Sequence, residues 1–116
     1  MAGTTFLWSV LLTQIGCSES AEKFITGCYY TNWAQYRHGI GKYLPENYQR
    51  GLCTHIFYAF AEMNSSFDLK PFEWNDQSTE YNKGMYQRVN DLKNKQPDLK
   101  TLLSFGGWTY CEKNKA

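Results

Sequence analysis

The sequence has little net charge and no cluster of basic residues. Charged residues make up 20% of the chain, and the formal net charge is +1 at pH 7. Nucleic acids and anionic membrane surfaces are usually bound by clustered lysines and arginines. We therefore expect neither nucleic acid nor membrane as a partner. The spacing of the four cysteines matches no zinc site, which argues against a zinc protein.

Apolar runs long enough to cross a membrane are also absent, but a shorter apolar run lies near the N-terminus. Residues 6–12 begin a run that continues weakly to Cys17. This run is too short to cross a bilayer and is typical of a secretory signal peptide, although no Lys or Arg precedes it and a buried N-terminal helix is the alternative. We expect a signal peptide over about residues 1–20, with cleavage between Gly16 and Ala21, and hence a secreted, extracellular protein.

Secretion would place the cysteines in an oxidising compartment. Cys17 lies at the edge of the predicted signal peptide. Cys28 and Cys53 are then the natural disulfide pair. Cys111 is the odd cysteine, which in a secreted chain indicates a partner elsewhere.

Aromatic residues are abundant by contrast. The chain has 4 Trp, 9 Tyr and 7 Phe, together 17% of its residues. So much aromatic surface is hard to bury in one core, and we expect part of it to line a binding surface. Flat aromatic faces suit pyranose rings, bases or peptides, and composition does not choose among these ligands.

Three segments are predicted to form strands. The segment Phe24–Tyr30 is rich in β-branched and aromatic residues, and Thr54–Ala61 is an almost continuous apolar run that suits a strand buried on both faces. The third strand is Lys100–Phe105. Within the second, His55 is interpreted as a hydrogen-bonded core residue rather than a catalyst.

Two helices are predicted between these strands. Pro45–Arg50 is interpreted as a short helix with Pro in its first turn. After a polar loop from Glu62 to Ser78, a longer helix begins at about Thr79 and ends before Pro97. Gly84 would cost this helix about 1 kcal/mol relative to Ala. Its apolar stripe consists of Tyr81, Met85, Val89 and Leu92.

The alternation of strands and helices predicts an α/β fold with a parallel sheet. Parallel sheets need cover on both faces, which three strands and two helices cannot provide, and no further helix is predicted after the third strand. We therefore interpret the chain as the N-terminal part of a larger domain. The third strand ends in Gly106-Gly107-Trp108, and α/β proteins often place a site at such a carboxyl end; a purely structural turn is the alternative.

Four blocks of the sequence stand out in chain order: Cys28–Arg37 (CYYTNWAQYR), Leu52–Ala61 (LCTHIFYAFA), Glu73–Asp76 (EWND) and Leu102–Trp108 (LLSFGGW). They resemble the first two barrel strands, a loop after the second strand, and the S-x-G-G signature of the third strand in the secreted invertebrate chitinases of glycoside hydrolase family 18. The resemblance covers about Phe24 to Trp108.

The resemblance implies the first three βα units of a (β/α)8 TIM barrel, which needs roughly 250 residues, so residues 21–116 are expected to form only its N-terminal part. It also implies substrate-assisted, retaining hydrolysis of β-1,4-linked N-acetylglucosamine polymers, without a cofactor and by a monomeric parent. The general acid of the family closes a D-x-x-D-x-D-x-E motif on the fourth strand, and this motif does not occur in the sequence. The expected partner is chitin or chito-oligosaccharide.

The matched positions give the site residues that the resemblance implies. Thr109 and Cys111 depart from the pattern of the family. Asp68, Glu73, Asp76 and Glu80 have no family role and are interpreted as solvated or structural, whereas Asn64 begins a glycosylation sequon. The implied sugar-binding residues are Tyr29, Trp33, Tyr36, Phe60, Trp74, Gly107 and Trp108, and the implied disulfide joins Cys28 to Cys53.

Three functions stay open at this point. In the first hypothesis, the parent protein is a chitinase whose N-terminal part, taken alone, is inactive because it lacks the general acid. Alternatively, it is a chitin-binding lectin that does not hydrolyse its ligand. The third hypothesis is a truncated product without a function of its own, since an unpaired strand edge and exposed apolar faces favour aggregation.

Overall fold

Three parallel strands form the centre of the fold. The computed structural model describes residues 24–114, so the predicted signal peptide and Cys17 lie outside the described residues. Strand β2 (His55–Met63) lies in the middle and pairs in parallel with β1 (Gly27–Thr31) and β4 (Lys100–Phe105). A short strand, β3 (Leu69–Pro71), pairs antiparallel with the end of β2. The predicted parallel sheet is confirmed.

The predicted bounds of the strands were only partly right. The third strand has the predicted bounds, whereas β1 begins three residues later and β2 ends two residues later than expected. β3 lies within the segment Glu62–Ser78, which was predicted to be a loop. A tight turn explains it: the Asn64 amide donates to the carbonyl of Asp68 at 3.0 Å and folds the chain back onto β2.

The prediction of a short helix at Pro45–Arg50 was wrong. Residues Pro45–Asn47 form a single 3-10 turn, and Tyr48 is already extended with φ −61° and ψ 131°. Its amide makes the last hydrogen bond of the turn, to the carbonyl of Pro45 at 3.0 Å. The first crossover is therefore built from 3-10 turns at Asn32–Tyr36, Gly39–Gly41 and Pro45–Asn47 rather than from an α-helix.

The second helix is shorter than predicted. Helix α1 spans Met85–Asn90 and continues as a 3-10 turn over Asp91–Asn94. Residues 79–84 are a loop, and Tyr81 is 83% exposed instead of lying on the apolar stripe. Gly84 precedes α1, so the expected cost of a glycine inside the helix does not apply. Its position is fixed by close packing, since a Cβ there would lie 2.2 Å from the carbonyl carbon of Gln77.

A further helix follows the third parallel strand. Helix α2 spans Trp108–Lys113 and begins directly after Gly107, so the prediction that no helix follows β4 was wrong. Among the described residues, no helix has the length and apolar character needed to cross a membrane.

The core lies on one face of the sheet. Tyr30 and Tyr58 are paired neighbours on β1 and β2, and they pack with the buried side chains of α1 and its 3-10 extension. The opposite face is more open: Tyr29, Phe57 and Leu102 lie side by side in register, and Tyr29 and Leu102 are exposed. Within Thr54–Ala61 no residue of the second strand is itself exposed, but Phe57 on the open face is only half-buried, so the expected burial on both faces is confirmed in part.

A disulfide joins the start of β1 to the residues before β2. Cys28 and Cys53 are bonded, with their Cα atoms 6.0 Å apart. Beside this bridge, Tyr48 donates a hydrogen bond to Oε1 of the buried Gln96 at 2.9 Å and accepts one from the Cys53 amide at 3.1 Å. Cys111 is exposed and free.

An ion pair links α1 to the first crossover, and it should make stability depend on pH. Arg88 binds Glu46 through two nitrogen–oxygen contacts of 2.7 and 2.5 Å. These hydrogen bonds hold the pKa of Glu46 below its usual value of 4.5. A lowered pKa contributes stability that is present above pH 4.5 and is lost as the pH falls through the folded-state value.

We expect E46Q to lose less stability than the unchanged chain between pH 5 and pH 3. The Glu46 side chain is 57% exposed, so the difference should not exceed about 1 kcal/mol. Urea unfolding at a series of pH values measures it. Parallel pH profiles of the two proteins would contradict the assignment.

Candidate binding cleft

A cleft of about 370 Å³ lies beyond the carboxyl ends of the parallel strands. One wall comes from the residues after β1, the floor from the second half of β2, and the other wall from the turn after β4. Parallel strands present their carboxyl ends at the same edge of a sheet, which is why these segments meet. The residues that line the cleft are Asn32, Trp33, Phe60, Phe72, Gly106, Gly107, Trp108 and Thr109.

The Gly-Gly turn after β4 fits closely against the floor. Gly106 and Gly107 have φ values of 85° and 94°, in the region that favours glycine. A Cβ on Gly107 would lie 3.0 Å from Cε2 of Phe60. The Gly106 amide donates to the carbonyl of Ala61 at 3.0 Å and so ties the turn to β2. Both glycines are therefore needed for the chain to leave β4 against the Phe60 ring.

Phe60 and Trp33 form the aromatic centre of the cleft. Their ring centroids are 5.9 Å apart and their planes differ by 27°, a stacked arrangement. The Ala59–Phe60 peptide bond is cis, and the pairing of β2 with β4 shifts register between Ala59 and Ala61. Trp108 stands on the opposite wall with 82% of its surface exposed. The cleft thus offers aromatic surface on its floor and on both walls.

Tyr29 lies beside the cleft rather than in its lining. Its ring stacks on Phe57 with centroids 5.4 Å apart, and it is 6.5 Å from the ring of Phe60. The side chain is exposed on the open face of the sheet. Of the predicted sugar-binding residues, the structure therefore brings Trp33, Phe60, Gly107 and Trp108 into one cleft and leaves Tyr29 next to it.

Tyr36 and Trp74 lie together outside the lining. The Tyr36 hydroxyl donates to Oε2 of Glu73 at 2.8 Å. Desolvation, followed by this hydrogen bond and the charge of Glu73, raises the pKa of Tyr36, while the Trp74 side chain beside the same phenol acts in the opposite direction. Trp74 is 82% exposed. These two aromatics form a second group beside Glu73, for which the sequence had predicted no role in binding.

The remaining candidate polar residues have local partners. Asp76 is fully buried and its carboxylate accepts hydrogen bonds from Tyr58 and from the amides of Phe72 and Glu73, which agrees with a structural role. His55 is half-buried and its Nδ1 lies 2.9 Å from Oγ1 of Thr54, so it is hydrogen-bonded but less buried than predicted. Asn64 is exposed, with its Oδ1 accepting from the amides of Ser66 and Asp68. Glycosylation at Asn64 stays a prediction.

Sequence reasoning missed part of the lining. Asn32 adjoins the selected Trp33 in the first matched block, and Phe72 directly precedes the EWND block, two positions from the selected Trp74. Thr109 was noted only as a departure from the family pattern, yet it lines the cleft. Adjacency to matched blocks was the one signal that could have found these residues.

The lining suits binding better than proton transfer. None of the described residues that line the cleft has a carboxyl or imidazole group, and Trp33, Phe60, Phe72 and Trp108 dominate the surface. Aromatic faces pack against the apolar faces of ring-shaped ligands, and the indole N–H groups can hydrogen-bond to them. The chemistry of this cleft is therefore recognition of a flat, partly apolar ligand.

The parallel strands, their crossovers and the cleft beyond their carboxyl ends define the chain as part of an α/β barrel. Comparison with known families matches residues 25–115 to the glycosyl hydrolases family 18. The chain belongs to this family. The resemblance inferred from the sequence is confirmed, as is the fold class, the first three βα units of a (β/α)8 barrel.

Chitinases are among the proteins most similar to this chain. The protein of Brugia malayi called "Endochitinase" is 59% identical over 87 residues, which are 75% of this chain and 17% of that protein. The crystal structure of an immunomodulatory active chitinase from Trichuris suis matches with a TM-score of 0.68 and 55% identity, over 76% of this chain and 23% of the other. These relatives support the resemblance to chitinases of the invertebrate type.

A protein described as a pseudo-chitinase is also similar. Human YKL-39, described as a pseudo-chitinase with retained chitooligosaccharide-binding properties, matches with a TM-score of 0.65 and 36% identity, over 78% of this chain and 23% of the other. The chain spans less than a quarter of the length of each of these three relatives.

Proposed function

We propose that this chain forms the first part of the substrate cleft of a secreted chitinase. The parent protein would bind chitin or chito-oligosaccharides and hydrolyse β-1,4-linked N-acetylglucosamine by the substrate-assisted, retaining mechanism of its family. The observation that carries the proposal is the aromatic cleft, in which Trp33 stacks on Phe60 and Trp108 belongs to the same lining. The family match and the chitinases among its relatives support it.

The proposed contact of each residue with the sugar polymer follows from its position in or beside the cleft. Phe60 and Trp33 would pack against one sugar ring at the centre of the cleft, and Trp108 would contact a ring from the opposite wall. Tyr36 and Trp74, held together beside Glu73, would contact sugars further along the polymer. Tyr29 would bound the pocket from the open face of the sheet.

The chain by itself is proposed to be inactive. Protonation of the leaving oxygen needs a general acid, and neither the cleft lining nor the sequence contains the acidic motif of the family. The test is to incubate the 116-residue chain with a hexamer of N-acetylglucosamine and follow product formation. Turnover above that of the heat-denatured chain would overturn this part of the proposal.

A second candidate function is chitin binding without hydrolysis. The similarity to human YKL-39 favours it, because an aromatic cleft serves a lectin as well as an enzyme. The transcript beyond the codon of Ala116 distinguishes the two. An intact D-x-x-D-x-D-x-E motif supports the enzyme, and replacement of its Glu supports the lectin.

Replacing Trp108 by Ala should weaken binding without weakening the fold. We expect the dissociation constant for the N-acetylglucosamine hexamer to rise about ten-fold, or about 1.4 kcal/mol, because one aromatic wall is lost. The free energy of unfolding should change by no more than about 0.5 kcal/mol, since Trp108 is 82% exposed. Isothermal titration calorimetry and urea unfolding measure the two quantities.

Tyr81→Ala is the matched control for this experiment. Tyr81 is 83% exposed but lies in the loop before α1 and does not line the cleft. Its removal should leave hexamer affinity unchanged. Equal losses of affinity in the two variants would show that Trp108 has no specific contact with the ligand.

A further inference from the structure

The loop between β3 and α1 is tied to the central strand through the side chain of Asp76. Asp76 is fully buried. Its Oδ2 accepts hydrogen bonds from the backbone amides of Phe72, at 3.1 Å, and Glu73, at 2.8 Å. Its Oδ1 accepts a hydrogen bond from the hydroxyl of Tyr58 on β2. A single carboxylate thus joins the loop to the central strand.

The backbone of the same loop also holds the start of α1. The carbonyls of Asn75 and Asp76 accept hydrogen bonds from the amides of Met85, at 2.9 Å, and Tyr86, at 3.0 Å. These amides belong to the first turn of the helix and have no partner within it. Residues 72–76 are therefore held in position by hydrogen bonds to β2 and to the start of α1.

The side chains carried by this loop reach the binding surface. Phe72 lines the cleft, and Glu73 accepts the hydrogen bond from Tyr36. Asn75 donates to Oε1 of Gln35 at 2.7 Å, which ties the loop to the segment after β1. The two segments that carry Phe72 and Trp74 on one side and Trp33 and Tyr36 on the other are thus joined by side-chain hydrogen bonds.

We propose that Asp76 is a positioning residue for the sugar cleft, which it shapes by fixing the Phe72–Asn75 segment against Tyr58. The inference rests on the proposed function only where it concerns sugars. Asp76 contacts no ligand in this scheme. It holds the amides of Phe72 and Glu73, and through them the ring that lines the cleft and the carboxylate that orients Tyr36.

Tyr58 suits the role of donor to Asp76. Burial, followed by the hydrogen bond to Asp76 and the negative charge of that residue, raises the pKa of the Tyr58 hydroxyl far above its usual value of 10.0. The hydroxyl therefore stays protonated and keeps donating throughout the neutral and alkaline range. Its ring is held by Tyr30 and Tyr86, at centroid distances of 5.5 and 4.9 Å, so removing the hydroxyl alone need not displace it.

The test uses the 15N-labelled 116-residue chain with Tyr58→Phe, and Asp76→Asn as a second variant that preserves side-chain size. We expect the amides of Phe72 and Glu73 to exchange with solvent about ten-fold faster in both, because local opening becomes easier. We also expect the dissociation constant for the N-acetylglucosamine hexamer to rise about five-fold, or about 1 kcal/mol.

Tyr48→Phe is the matched control. It also removes a phenol hydroxyl that hydrogen-bonds to Gln96 and to the backbone of Cys53, but beside the disulfide. We expect faster exchange at Cys53, unchanged exchange at Phe72 and Glu73, and unchanged hexamer affinity. A role in overall stability alone would instead make the three variants behave alike.

Two results would overturn the proposal. One is exchange of the Phe72 and Glu73 amides within two-fold of the unchanged chain in both Tyr58→Phe and Asp76→Asn. The other is a loss of hexamer affinity in Tyr48→Phe as large as in those variants. If the unchanged chain does not bind the hexamer, the proposed function fails, whereas the exchange rates still decide whether Asp76 positions the loop.

Discussion

Gly107→Ala is expected to destabilise the chain by about 3 kcal/mol. Gly107 has φ 94° and ψ 176°, a backbone conformation that is almost confined to glycine. Its new Cβ would also lie 3.0 Å from Cε2 of Phe60 and 3.1 Å from Cδ2. The ring has to move, and because it forms the floor of the cleft, sugar binding should be weakened as well. Urea unfolding and hexamer titration measure the two effects.

Gly51→Ala separates backbone strain from the contact with Phe60. Gly51 has φ 86°, and a Cβ there would meet nothing within 4 Å. This variant should therefore lose only the conformational part, about 1–2 kcal/mol, and should bind the hexamer normally. If Gly107→Ala is no less stable than Gly51→Ala and binds the hexamer equally well, close packing of the turn on Phe60 contributes neither to stability nor to binding.

Removing the disulfide should have a similarly large effect. Replacing both Cys28 and Cys53 by Ser is expected to lower the free energy of unfolding by about 3 kcal/mol. The two residues are 25 positions apart, and in the chain-entropy account the bridge restricts the unfolded chain by this amount. Cys53 is also buried, so the serine hydroxyl adds a desolvation cost. Urea unfolding under non-reducing conditions measures the loss.

The third cysteine in the described part of the chain provides the control. Cys111 is exposed and free, so Cys111→Ser should change the free energy of unfolding by no more than about 0.5 kcal/mol. Dithiothreitol should destabilise the unchanged chain and the Cys111→Ser variant equally, and should leave the double Ser variant unaffected. Sensitivity of that double variant to the reductant would contradict the assignment of the stability to this bridge.

The sequence predicted the parts of the fold that depend on local patterns. Strand β4 has the predicted bounds Lys100–Phe105, because an apolar run followed by two glycines leaves few alternatives. Of the seven predicted sugar-binding residues, four meet in one cleft: Trp33, Phe60, Gly107 and Trp108. They meet because the matched blocks that contain them coincide with the carboxyl ends of strands.

The sequence was insufficient where distant contacts decide the structure. Helix α1 begins at Met85 because carbonyls of the preceding loop accept its first amides, whereas the apolar spacing of Tyr81 indicated an earlier start. The hydrogen bond from Tyr36 to Glu73 joins residues 37 positions apart. Propensity and periodicity describe neighbours along the chain, so they could not have shown that Glu73 supports the binding surface.

None of the described residues that line the cleft has an ionisable side chain, which separates ligand affinity from the pH dependence of catalysis, two properties that are usually measured together. Affinity contributed by this wall should be insensitive to protonation and to ionic strength, since neither acts on packing between aromatic rings and neutral sugars. The bell-shaped pH profile of a glycosidase reports its acid and base. In the parent protein, such a profile would therefore describe groups other than this wall, and the wall would set how tightly substrate is held at every pH.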